Sequence, residues 1–142
     1  MNTVTNEQAI LNRIGQIPVF DTLGVEILEL AEGLCKARVP KKDSFDGIYE
    51  SYHGGMLMTA ADTIACPAIM TLTGADAFMA TTDMNIRFLS ACLTDVIVEA
   101  RVIKFGKTLC PVQVDLFDTS GKHVAVAQVT YMVGLKAPAP GR

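Results

Sequence analysis

A two-layer α+β fold, one long buried helix covered by an antiparallel sheet of five or six strands, is what this 142-residue sequence predicts. Three observations predict it. Gly54 to Thr73 reads GGMLMTAADTIACPAIMTLT, a helical candidate of several turns that is apolar on nearly every side. Four segments after it carry strand patterning and are separated by turn-forming residues. Before it, two short strand-like runs meet at Glu32-Gly33, which reads as a hairpin.

The elements follow in order. Residues 3–15 predict a short helix, with Thr5 as N-cap, Glu7 in the first turn and Gly15 as the stop. Pro18 breaks any continuation, so residues 1–18 form an N-terminal helical segment. Residues 24–30 place Val25, Ile27 and, less cleanly, Glu29 on one face, and residues 34–39 give the partner strand. The polar stretch PKKDSFDGIYESY, residues 40–52, reads as a loop. In the long helix, Ala60, Ala61, Ala65 and Ala68 are small enough to let a sheet approach closely, while Pro67 predicts a kink just after Asp62. Residues 78–90 then put Thr81, Asp83, Asn85 and Arg87 on one face of a strand and Thr82, Met84, Ile86 and Phe88 on the other. Strands over 95–105, 108–118 and 123–133 follow, joined at Gly106-Lys107 and at Asp118-Thr119-Ser120-Gly121. Residues 135–142, ending KAPAPGR, read as a flexible tail.

Length and charge set bounds on function. The chain is long enough for one domain, residues 1–142, with no room for a second. A formal net charge of −3, with twelve Lys and Arg spread along the chain, leaves no footprint for nucleic acid. The most apolar stretch carries Asp62 and Pro67, and its charge-free run is too short for a bilayer, so no membrane span is expected. The first residues lack a basic segment followed by an apolar one, so a cytoplasmic protein is expected. Cys35, Cys66, Cys92 and Cys110 are scattered and read as reduced core residues. With only His53 and His123 to help them, no metal site is expected. One face of one small sheet cannot cover a helix that is apolar all round, which points to a second subunit.

The stretch that could do chemistry is His53-Gly54-Gly55, opening the helix, with Asp62 inside it. Gly-Gly at a helix start leaves backbone N–H groups free at the positive end of the dipole, where they can hold the oxygen of a polarised carbonyl. A carboxylate in an apolar helix is costly unless partnered. Each feature also has a plain structural reading. The glycines permit close packing, His53 caps the helix or faces solvent, and Asp62 bonds Thr59 or a strand. Together they favour function. Eight residues separate Gly54 from Asp62, about 12 Å along a helix axis, too far for both to meet one carbonyl. Two antiparallel helices related by a two-fold axis remove that distance, so a cooperating pair implies a site shared between subunits.

HGGMLMTAAD resembles the HGG-x6-D motif of the hotdog-fold acyl-CoA thioesterases, of the phenylacetate-pathway type and its relatives, which include one class of 4-hydroxybenzoyl-CoA thioesterases. TTDMNIRFL is similar to that family's strand after the central helix, and the resemblance runs from about Phe20 to Gly134. It implies a hotdog fold, a homodimer or homotetramer, and hydrolysis of an acyl-CoA thioester to acid and CoA without a cofactor. Asp62 would be the nucleophile or the general base for water, and Gly54 would offer its N–H to the carbonyl oxygen. His53 would orient the loop or the thioester, and Thr81 would help position water. Gly55 and the loop residues Asp46 and Gly47 would border the substrate. Arg87, with Lys104, Gly106 and Lys107, would meet the CoA phosphates. Many relatives carry Asn or Gln where this sequence has Gly47, a departure that bears on catalysis more than on fold. It keeps open a second reading, a hotdog that binds acyl-CoA without hydrolysing it; a third is a structural dimer with Asp62 as a satisfied core carboxylate.

Overall fold

The computed structural model describes residues 3–137. Two helices come first, α1 (Thr3–Ile14) and α2 (Pro18–Leu23), and then the hairpin of β1 (Glu26–Ala31) and β2 (Leu34–Val39). A 3-10 turn at Asp43–Phe45 leads to α3 (Gly54–Thr73), and four strands follow: β3 (Phe78–Phe88), β4 (Val96–Val102), β5 (Leu109–Phe117) and β6 (His123–Leu135). All neighbouring pairs are antiparallel, in the order β1-β2-β4-β5-β6-β3. This helix-in-sheet wrap is the hotdog fold.

α3 forms the centre because it has almost no polar face. Leu57, Ala60, Ala61, Ile64, Ala65, Ala68 and Ile69 are buried against the inward residues of the sheet, among them Ala37, Val98, Val114 and Val129. Small side chains on the helix let the strands come close, as the alanines predict. By length and composition α3 would also suffice to cross a bilayer. The sequence argument against a span is therefore too strong on length, yet here the sheet encloses the helix.

Other expectations need correction. α1 is already helical at Thr3, so Thr5 lies within the helix and is not its cap. Pro18 does more than end α1. It sits at the first position of α2, where its missing N–H costs nothing, and Gly24 closes that helix at φ 73°. α3 runs unbroken through a buried Pro67. Of the tail expected over 135–142, Leu135 still pairs with Phe78 and closes β6, while residues 138–142 lie outside the described part.

Two bulges undo simple alternation. In β1, Ile27 faces Ala37 and Glu29 faces Lys36, with a register shift between them. Glu29 thereby leaves the apolar face and Leu30 takes its place opposite buried Cys35. In β3, one of two shifts against β6 falls between Thr81 and Asp83. Thr81 lies opposite Tyr131, whose side chain is buried, and Asp83 lies opposite outward-facing Thr130. Thr81 therefore points toward α3, whereas Asp83, Asn85 and Arg87 point away, so the single polar face expected for this strand does not form.

Candidate active site

α3 and β3 run past each other in opposite directions, and three contacts fix their register. Near the start of the helix a Cβ on Gly54 would come 3.0 Å from Cζ of Phe88. In the middle, Thr81 Oγ1 donates to Asp62 Oδ1 at 2.7 Å. One turn further, Cys66 Sγ lies 3.8 Å from Met79 Sδ. Burial and then the nearby Asp62 carboxylate push the Cys66 thiol up to about 11, so it stays protonated at neutral pH and is a poor nucleophile.

His53 is the N-cap of α3, and its Nδ1 accepts from Gly55 N at 2.9 Å. Its own backbone N–H donates to Phe45 O at 2.8 Å, and its carbonyl accepts from Met56 and Leu57. The imidazole is thus a capping group with Nε2 left facing outward. It consumes the Gly55 N–H, and among the described residues the Gly54 N–H has no acceptor. Of the two glycines expected to offer free donors, Gly54 is the one that does. A Cβ on Gly55 would sit 3.0 Å from the His53 ring, so Gly55 makes room for the cap.

Asp62 is half-buried and held from two sides. Thr81 fixes one carboxylate oxygen, and Tyr131 Oη donates to the Asp62 backbone carbonyl at 2.8 Å. Sequence reasoning missed Tyr131. The signal was present, because Val129, Tyr131 and Val133 alternate inward and a buried phenol requires a partner for its hydroxyl. Phe88, which the sequence offers as a residue that could line an acyl pocket, lies half-exposed over Gly54.

In the loop before the helix, Asp46 and Gly47 make contacts of their own. Asp46 is bound to Lys41, whose Nζ lies 2.7 Å from Oδ1 and 2.9 Å from Oδ2. Gly47 accepts from Glu50 N and donates to Ser51 O, forming a tight turn with Ile48 and Tyr49 almost fully exposed at its tip. A Cβ on Gly47 would lie 3.8 Å from His53 Cδ2 without a clash. The position where relatives carry an amide is therefore beside the imidazole, and here that space is open.

The expected phosphate cluster is not brought together within one subunit. Arg87 lies opposite Val126, whereas Lys107 O approaches Gly134, eight residues along β6 or about 27 Å away. Lys104 and Lys107 are exposed, and Lys107 lines a groove of about 470 Å³ with Leu72, Thr73, Phe105 and Gly134. That groove lies at the C-terminal end of α3, roughly 15 Å along the helix from Asp62. Gly106 is structural: a Cβ there would run into the Leu109 carbonyl oxygen. Gly106→Ala is expected to lower stability by roughly 1–3 kcal/mol in urea unfolding, because a backbone atom cannot step aside cheaply. Among the described residues no cluster of His, Cys, Asp and Glu is arranged to hold a metal ion.

Residues 49–125, more than half of the chain, match the sequence profile of the Thioesterase superfamily, and the match contains the whole His53 to Asp62 segment. The chain belongs to this superfamily. Mouse acyl-coenzyme A thioesterase 13 is 27% identical over 143 residues, covering 94% of this chain and 99% of the relative. Among solved structures, the E. coli PaaI protein from the phenylacetic acid degradation operon superposes with TM-score 0.84 at 18% identity, covering 94% of this chain and 96% of that one. A thioesterase from Streptococcus pneumoniae, solved with coenzyme A, gives 0.72 at 23% identity over 80% and 88%. The two structures speak for the fold. The superfamily member described here is a thioester hydrolase with the hotdog fold.

Proposed function

We propose that this thioesterase hydrolyses an acyl-CoA, with Asp62 as the nucleophile or the base for water and Gly54 N–H as the donor to the thioester oxygen. The observation that carries the reading is the pair of complementary groups on one helix. An unpaired N–H stands at its positive end, and a carboxylate aimed by Thr81 stands two turns on. Attack at the carbonyl carbon moves charge to its oxygen, which an N–H at a helix start stabilises, and the thiolate of CoA leaves. The E. coli and pneumococcal relatives share the frame, and the mouse relative is named for the same substrate class. Lys107, lining its groove, supplies a cation of the kind a nucleotide phosphate requires.

The two groups serve one carbonyl only across a two-fold axis. β3 is an edge strand of eleven residues, whereas the opposite edge, β1, has six and carries Glu26, Glu29 and a bulge that blunt it. Antiparallel pairing of β3 with its copy, centred on Asn85 and with Thr82 as the extra residue of the bulge, would set Thr81 opposite Phe88 of the partner subunit. Asp62, bonded to Thr81, would then lie near the partner's Gly54, which Phe88 covers. A homodimer with two shared sites follows, in a cytoplasmic setting; pairing of dimers into a homotetramer is compatible with it.

The test is thiol release from short, long and aromatic acyl-CoAs. Turnover of at least one of them is expected. Silence across the panel, with CoA esters still protecting the fold against heat, would favour the alternative of a non-catalytic acyl-CoA binder. The empty space at Gly47 beside His53 is the observation in favour of that alternative.

A further inference from the structure

Three features converge behind Asp62, and two of them, Pro67 and Tyr131, have no part in the proposed chemistry. Pro67 has no N–H, so the Thr63 carbonyl lacks its helical partner and the turn carrying Asp62 and Thr63 has one internal bond fewer. From outside the helix, Tyr131 Oη donates to the Asp62 carbonyl at 2.8 Å. Tyr131 is only 7% exposed, and burial, with Cys66 and the Asp62 carboxylate nearby, pushes its phenol above the ordinary tyrosine range, so it remains a donor. Thr81, which holds the Asp62 carboxylate, is the cross-strand partner of Tyr131, and the bulge after Thr81 turns its side chain inward. Thr82, the extra residue of the bulge, secures it by donating to Thr130 O at 3.1 Å.

We propose that Tyr131 is a positioning residue for hydrolysis: it pins the helical turn that carries Asp62 and acts as one unit with Thr81 in aiming the carboxylate. The inference rests on the assignment of Asp62 to the reaction. The Tyr131 hydroxyl holds the main chain of Asp62, Thr81 holds the side chain, and the β3–β6 ladder ties the two holders together. A carboxylate fixed at both ends meets the carbonyl without reorganising, and misplacement by a fraction of an ångström slows the chemical step more than binding.

Tyr131→Phe keeps the ring and removes only the hydroxyl. It is expected to lower kcat roughly tenfold with KM within about twofold, the size expected when one hydrogen bond near the reacting group is lost. Thr81→Ala should behave similarly, and the double variant should lose no more than about twice the larger single loss, because the two act as a unit. Wild-type kcat in a folded Tyr131→Phe, or losses that multiply in the double variant, would overturn the inference. Asp62→Asn measured alongside separates the two levels. If it keeps wild-type turnover, the assignment of Asp62 itself has failed. If it is inactive while Tyr131→Phe is unimpaired, only the role of Tyr131 has.

Discussion

Asp62→Asn is expected to reduce kcat for acyl-CoA hydrolysis at least about a thousandfold while leaving the fold intact, whether Asp62 attacks directly or activates water. Asparagine has nearly the same shape, and its side-chain oxygen can still accept from Thr81 Oγ1, so the 2.7 Å contact and the Tyr131 bond to the main chain survive. What disappears is the negative charge and the ability to take a proton. Because Asp62 is only half-buried, exchanging a carboxylate for an amide should change the unfolding midpoint little. Thiol release at saturating substrate measures the rate, and urea unfolding monitors the fold. Turnover within tenfold of wild type would show that the carboxylate is a structural group held by Thr81.

Gly54→Pro should lose about a hundredfold to a thousandfold in kcat, the scale of one missing oxyanion donor. Proline suits this position structurally. It would occupy the first residue of α3, where its fixed φ is favourable and no helical hydrogen bond is broken. His53 before it already has the extended backbone, φ −61° and ψ 133°, that a following proline requires. The substitution thus removes the N–H and little else from the helix. Its added carbons press on Phe88, 3.0 Å from the Cβ position, but that ring is half-exposed and can swing aside. Gly54→Ala places the same Cβ against Phe88 and keeps the N–H, so it separates crowding from loss of the donor. A loss confined to proline supports the oxyanion role. Equal losses in alanine and proline would assign the effect to Phe88.

The central helix was legible because its signal is redundant. Length, apolar composition and the Gly-Gly start all mark Gly54 to Thr73, and no competing pattern fits. β2 was equally clear, since Leu34 to Val39 lies between a turn and a proline. The same reasoning failed where one inserted residue changes a strand's phase. Nothing in TTDMNIRFL announces that Thr82 is extra, so Thr81 was grouped with Asp83 when its partner Tyr131 draws it to the opposite face. At β1 the weak fit of Glu29 to the apolar face was the trace of a bulge. Within the site, His53, Gly54, Asp62 and Thr81 were all visible from a motif. Their division of labour was not: only coordinates show that His53 takes up the Gly55 N–H and leaves that of Gly54. The separation of Arg87 from Lys107 depends on strand order, to which spacing along the chain is blind.

The most direct test of the central claim, a site built from Gly54 of one subunit and Asp62 of the other, is complementation between two inactive variants. Asp62→Asn and Gly54→Pro are co-expressed with different tags and the mixed oligomers isolated by both tags. In such a dimer one site carries both substitutions and the other carries neither. Mixed dimers are therefore expected to recover about half of the wild-type thiol release, from two parents that show almost none. Mixed dimers as inactive as their parents would contradict the shared site and place Gly54 and Asp62 in separate roles within one chain.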